Sequence, residues 1–125
     1  MSLQASTTRI EPDIVVVHLS GTLTAWQETG AALTSISDLL QQNERKLILD
    51  LSGIETMDSS GMQAIFDSFS AAREAGGELR VACANVRVAR LFRLTQIDTV
   101  VPFYPTMAAA CQGFHIRARA PGQQS

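Results

Sequence analysis

The chain lacks a basic excess, a long apolar run and all but a trace of cysteine. Ten lysines and arginines against twelve aspartates and glutamates leave a formal charge of −2, which supplies no basic footprint for nucleic acid. No uninterrupted apolar stretch approaches the roughly 20 residues that cross a bilayer, so membrane insertion is not expected. Met1 to Thr8 lack the basic and apolar regions of a signal peptide, and the expected location is the cytoplasm. Cys83 and Cys111 stand in neither a metal nor a redox spacing and read as reduced core thiols. His18 falls in a strand and His115 near the end of the sequence, and neither is placed to serve a serine as base. The Gly-x-Ser-x-Gly elbow of serine hydrolases is missing, and no cluster of His, Cys and carboxylates suggests a metal. These absences predict a non-enzymatic protein with no cofactor.

What is present is a globular composition, 46% apolar over 125 residues, which is room for one domain. Turn residues divide it. Glu11-Pro12-Asp13 separates a short strand at Thr8 to Ile10 from a second at Ile14 to Leu19, an antiparallel hairpin. Trp26, Thr29, Leu33, Ile36 and Leu40 recur at helical spacing and predict a helix from Ala25 to Gln42. Lys46 to Leu51 reads as a buried strand and Met62 to Ala72 as an amphipathic helix, and Gly76-Gly77 stops that helix before a strand from Glu78 to Ala84. A helix over Val86 to Thr95, a strand over Val100 to Tyr104 and a helix over Thr106 to Phe114 complete the domain, residues 1–114. Pro102 puts the last strand at the sheet's edge. Residues 115–125 lack periodicity and read as a mobile tail. The expected fold is α/β, a mixed, mostly parallel sheet of about four to five strands with about four helices against it.

Asp58-Ser59-Ser60-Gly61 lies in the loop between that buried strand and the amphipathic helix, inside a βαβ unit. Loops at the carboxyl ends of parallel strands are where ligands and partners are met. Ser60-Gly61-Met62-Gln63 fits a capping box, with Ser60 as the N-cap. A helix start also favours an anion, so a phosphoryl group on Ser60 would be tolerated within its own subunit. Asp58 reads either as a carboxylate that orients the serine hydroxyl or as an ordinary residue before a helix. Ser59 is a rival acceptor or a turn hydroxyl, and Gly61 either permits close approach of another backbone or a turn that a β-carbon would hinder, or is a small residue tolerated in the first helical turn.

Set in register, Leu47-Ile48-Leu49-Asp50-Leu51-Ser52-Gly53-Ile54, Met57-Asp58-Ser59-Ser60-Gly61-Met62 and Gly76-Gly77-Glu78-Leu79-Arg80-Val81 resemble the STAS family. This is the domain of bacterial anti-sigma-factor antagonists, which also forms the cytoplasmic tail of sulfate transporters. The likeness runs from Ile10 to Phe114, more weakly at Gly21-Thr22-Leu23 and from Val88 to Thr95 with Ile97-Asp98. It implies an antagonist that binds a serine-kinase anti-sigma factor when unphosphorylated, is released by phosphorylation of Ser60 and is reset by a phosphatase. It further implies a partner surface of Asp58, Ser59, Ser60, Gly61 and Met62 with Gly21, Leu23 and Thr24. Thr24 departs from the acidic residue that many relatives carry there, and Gln96 replaces a common glycine. Trp26 reads as an interface anchor or as the first member of its helix stripe. Arg87, Arg90 and Arg93 form a basic edge, either for an acidic partner or as a solvated helix face. The alternative within the family is a constitutive scaffold module in a lipid-transport or signalling assembly. Nucleotide binding by the domain itself lacks a phosphate-cradling glycine loop.

Overall fold

The computed structural model describes residues 4–23 and 26–114, with the side chains at 26–29, 31 and 32 left out. Successive residues of a strand take opposite faces, yet Ile14 to Val17 and Leu47 to Leu49 are all 4% exposed or less. Strands this dry on both sides must be covered on both sides, as in parallel α/β sheets. Strand β1 (Gln4–Ile10) pairs antiparallel with β2 (Ile14–Leu23), and β2 runs parallel to β3 (Lys46–Met57) with Ile14 opposite Lys46 and His18 opposite Asp50. Parallel pairing continues to β4 (Glu78–Ala82) and β5 (Phe103–Tyr104), giving the order β1-β2-β3-β4-β5.

Because the strand order always advances one place in the same direction, right-handed crossovers bring the connecting helices to one face. These are α1 (Trp26–Gln41), α2 (Ser59–Glu74) and α3 (Val86–Leu94). Ile36, Met62, Ile65, Phe69, Val88 and Phe92 pack there against Val15, Val17, Leu19, Leu47, Leu49 and Leu51. Phe92 meets Phe103 edge to face, ring centroids 4.3 Å apart. On the opposite face the short α4 (Met107–Cys111) and Phe114 cover Ile14, Val16, Ile48 and Ala82. Arg80 lies on that face too, only 2% exposed. Its Nη1 donates to the carbonyls of Ala110 at 2.8 Å and Gln112 at 2.7 Å, and its Nε donates to Glu78 at 2.9 Å.

The architecture is the expected one, while several ends differ. The hairpin strands are longer, because β1 pairs with β2 back to Gln4 opposite Ser20. Strand β3 continues past its apolar run to Met57, since β2 follows it through two register shifts as far as Leu23 opposite Met57. Strand β4 stops at Ala82 because Cys83 turns the chain with φ of 67°, so this thiol sits just beyond the strand. Val100 and Val101 follow a 3-10 turn over Ile97–Thr99, which shortens β5 to two residues; it lies at the edge as Pro102 implied. Gln96 opens that turn at φ of 63°, a conformation glycine adopts more readily. The expected tail lies outside the described residues.

Candidate functional site

The end of β3 delivers Asp58 in an extended conformation, φ −115° and ψ −169°, one residue before α2 begins. Its Oδ1 accepts from the backbone N–H of Ser60 at 2.9 Å and of Gly61 at 3.2 Å, and from the Ser60 hydroxyl at 2.6 Å. Asp58 is therefore the N-cap. This corrects the assignment of Ser60 to that role, and the capping box with it: Ser60 already sits in the first helical turn, and the Gln63 side chain turns forward to Asp67 at 2.9 Å. The physical reason is that a carboxylate both satisfies free N–H groups and suits the positive end of the helix.

The hydrogen bond from the Ser60 hydroxyl, followed by those from the loop's backbone, holds the Asp58 carboxyl below its ordinary value of 3.8. It is thus ionised at neutral pH and accepts the hydrogen bond of the Ser60 hydroxyl, an arrangement in which a carboxylate can orient a hydroxyl. Asp58 and Ser59 are exposed and Ser60 half-buried. Asp58→Ala is expected to lose about 1 kcal/mol of stability, measured by urea titration at neutral pH. Since the folded carboxyl is depressed, this stabilisation is present above 3.8 and disappears as pH falls through the lower folded value. An equal loss in Ser60→Ala with none in Asp58→Ala would restore the serine as cap.

The other candidates divide by burial. Gly61 is buried against the end of β2, where an added Cβ would lie 2.2 Å from the Leu23 carbonyl oxygen. Leu23 is 0% and Met62 5% exposed, so both side chains belong to the core and only their backbone faces the loop. Gly21 bends β2 with φ of 105° beside the register shift. Thr24 lies outside the described residues, as does the Trp26 side chain.

At the carboxyl end of β4, Asn85 caps α3 by accepting from Val88 N at 2.8 Å, and its amide donates to the Ile54 carbonyl of β3 at 2.9 Å. That bond, which the sequence did not suggest, ties α3 to the strand leading into Asp58. Arg87 and Arg90 line a hollow of about 680 Å³ with Glu55, Asn85 and the 83% exposed Val86. Arg93 is exposed on the same helix but does not line it. His18 is not near Ser60 chemistry: its Nδ1 is bonded to Asp50 at 2.6 Å. Among the described residues no group of three His, Cys, Asp or Glu could hold a metal, and no helix is long and apolar enough to cross a membrane.

The STAS domain profile matches residues 5–110. Over 75 residues the chain is 28% identical to a Thermotoga neapolitana protein named as an anti-sigma factor antagonist homolog, covering 60% of this chain and 66% of that one. Over 91 residues it is 25% identical to the anti-sigma F factor antagonist of Paenibacillus polymyxa, covering 73% and 78%. The fold matches that of the anti-sigma factor antagonist SpoIIAA in its unphosphorylated form with a TM-score of 0.72 at 17% identity, covering 94% of this chain and all of that one. A phosphorylated form of SpoIIAA has been solved as well, and it matches with a TM-score of 0.65, again at 17% identity, over 93% of this chain and 100% of that chain.

Proposed function

The chain belongs to the STAS domain family, and we propose that it acts there as an anti-sigma-factor antagonist switched at Ser60. In this reading the unphosphorylated protein binds a serine-kinase anti-sigma factor and frees the sigma factor. The kinase phosphorylates Ser60 and lets go, and a phosphatase resets the cycle. The observation that carries the reading is the Ser60 hydroxyl donating to the ionised Asp58 carboxylate at 2.6 Å, at an accessible helix start. The docking surface comprises Asp58, Ser59, Ser60 and the backbone around Gly61 and Met62, with Gly21 and Leu23; Thr24, outside the described residues, completes the set by its place in the sequence. The chain itself needs no cofactor for this role, since the kinase brings the ATP, and its place of action is the cytoplasm.

Phosphorylation changes this site in a definite way. The hydroxyl proton that binds Asp58 is lost, and a group of about −1.5 to −2 charge replaces it. Two anions then occupy one helix start, and a partner covering both must desolvate them or leave. The phosphorylated protein should bind the kinase at least about tenfold more weakly, roughly 1.4 kcal/mol. The kinase is recovered by co-purification from native cells as an ATP-binding protein. Titration calorimetry then compares both forms, and peptide mass spectrometry locates the phosphate. Equal affinities would eliminate the switch in favour of a constitutive scaffold, and modification of Ser59 or Ser52 with Ser60 bare would move the acceptor.

A further inference from the structure

The face covered by α4 is apolar only at one end. Beyond Ile14, Val16, Ile48 and Ala82 it turns polar, because Ser6 of β1 stands opposite His18 of β2 and His18 stands opposite Asp50 of β3. Three side chains are linked there in series. Thr8 Oγ1 lies 2.8 Å from His18 Nε2, His18 Nδ1 lies 2.6 Å from Asp50 Oδ2, and Asp50 Oδ1 accepts from Ser52 N at 3.0 Å. Burial opposes ionisation of Asp50, yet the Ser52 backbone and His18 hydrogen bonds outweigh it and hold the carboxyl below its ordinary value.

An ionised carboxylate only accepts, so the imidazole proton is on Nδ1. In the neutral ring Nε2 must then accept, and Thr8 is the donor. This is the order of nucleophile, base and orienting carboxylate found in acyl-transfer sites, where the carboxylate fixes the tautomer and stabilises the imidazolium. Thr8 is exposed, and the His18 side chain remains 35% exposed. His18 and Asp50 also border a hollow of about 230 Å³ with Ser6, Ser20, Ser52 and Gly53, which Thr8 itself does not line.

We propose that Thr8, His18 and Asp50 form an acyl-transfer site for small activated esters, separate from the Ser60 switch and on the sheet face opposite α2. Thr8 Oγ1 attacks the ester carbonyl carbon and its proton passes to His18 Nε2. The tetrahedral intermediate collapses with cleavage of the bond to the leaving oxygen, which departs with the electron pair and takes up that proton. Water gives a proton to the same His18 and attacks the carbonyl carbon of the acyl-Thr8 ester; the bond to Thr8 Oγ1 breaks, that oxygen leaves with the electron pair and takes the proton from His18 Nε2, and a carboxylic acid departs.

The probe is p-nitrophenyl acetate with the full chain, read by p-nitrophenolate release and by peptide mass spectrometry. One acetyl group is expected on Thr8. Thr8→Val keeps a strand-favouring shape at an exposed position and should slow acylation about a hundredfold, as should His18→Gln, while Thr8→Ser retains it. Melting curves for each variant separate loss of chemistry from loss of fold. Acetyl found on Lys46, Ser60 or a cysteine with Thr8 bare overturns the proposal. Parent-like rates in folded Thr8→Val and His18→Gln overturn it equally.

Discussion

Arg80→Ala should lower the unfolding free energy by about 3–5 kcal/mol, the scale on which one partner of a buried charged network is lost. The side chain is 3% exposed and bridges two layers of the domain. Its Nη1 serves the carbonyls of Ala110 and Gln112, while its guanidinium lies 4.0 Å from the Phe114 ring centroid and 5.3 Å from that of Tyr104. Truncation leaves two carbonyl groups without this donor at the only cover this face receives among the described residues, and removes the stacking surface beneath Phe114. Arg80→Met restores the apolar stem but not the donors, so it should recover part of the loss. Urea titration with both variants measures the difference. A loss under about 1 kcal/mol in Arg80→Ala would mean that burial of Ala110 and Phe114 alone holds α4 on the sheet.

Arg80 also shows why some of this molecule was legible in advance and some was not. Apolar runs such as Ile14 to Val17 and Leu47 to Leu49 report their own burial, and from their order, with helical stripes between them, the layered α/β sheet follows. Arg80 does not report its burial, because besides the nearby Glu78 it is held by backbone carbonyls 30 and 32 residues further on. Asp58 hides its role for a local reason. The apolar stripe of α2 starts at Met62 and points to a cap just before it, whereas the first turn, Ser59-Ser60-Gly61, is helical without contributing a large apolar side chain. His18 and Asp50 each look like a single polar residue closing an apolar strand. The available signal was their equal offset from Ile14 and Lys46, which parallel register converts into contact.

Gly61→Ala sets two effects of opposite sign against each other. Helix propensity alone favours alanine by about 1 kcal/mol, and Gly30 in α1, where an added Cβ meets nothing within 4 Å, should show that gain. At Gly61 the added carbon would instead lie 2.2 Å from the Leu23 carbonyl oxygen and 2.7 Å from Met57 Cγ. Neither neighbour yields cheaply, since Leu23 is wholly buried and paired with Met57 across β2 and β3. The start of α2 must move off the sheet, so a net loss of about 2–3 kcal/mol is expected despite the propensity. The same movement carries Gly61 N away from Asp58 Oδ1, now 3.2 Å distant, and loosens the carboxylate that orients Ser60. Phosphorylation of Ser60 by the kinase should slow accordingly, which rests on the proposed switch, whereas the stability change does not. Urea titrations of Gly30→Ala and Gly61→Ala decide the structural half; a Gly61→Ala protein as stable as its parent would show that Leu23 does not press on this helix turn.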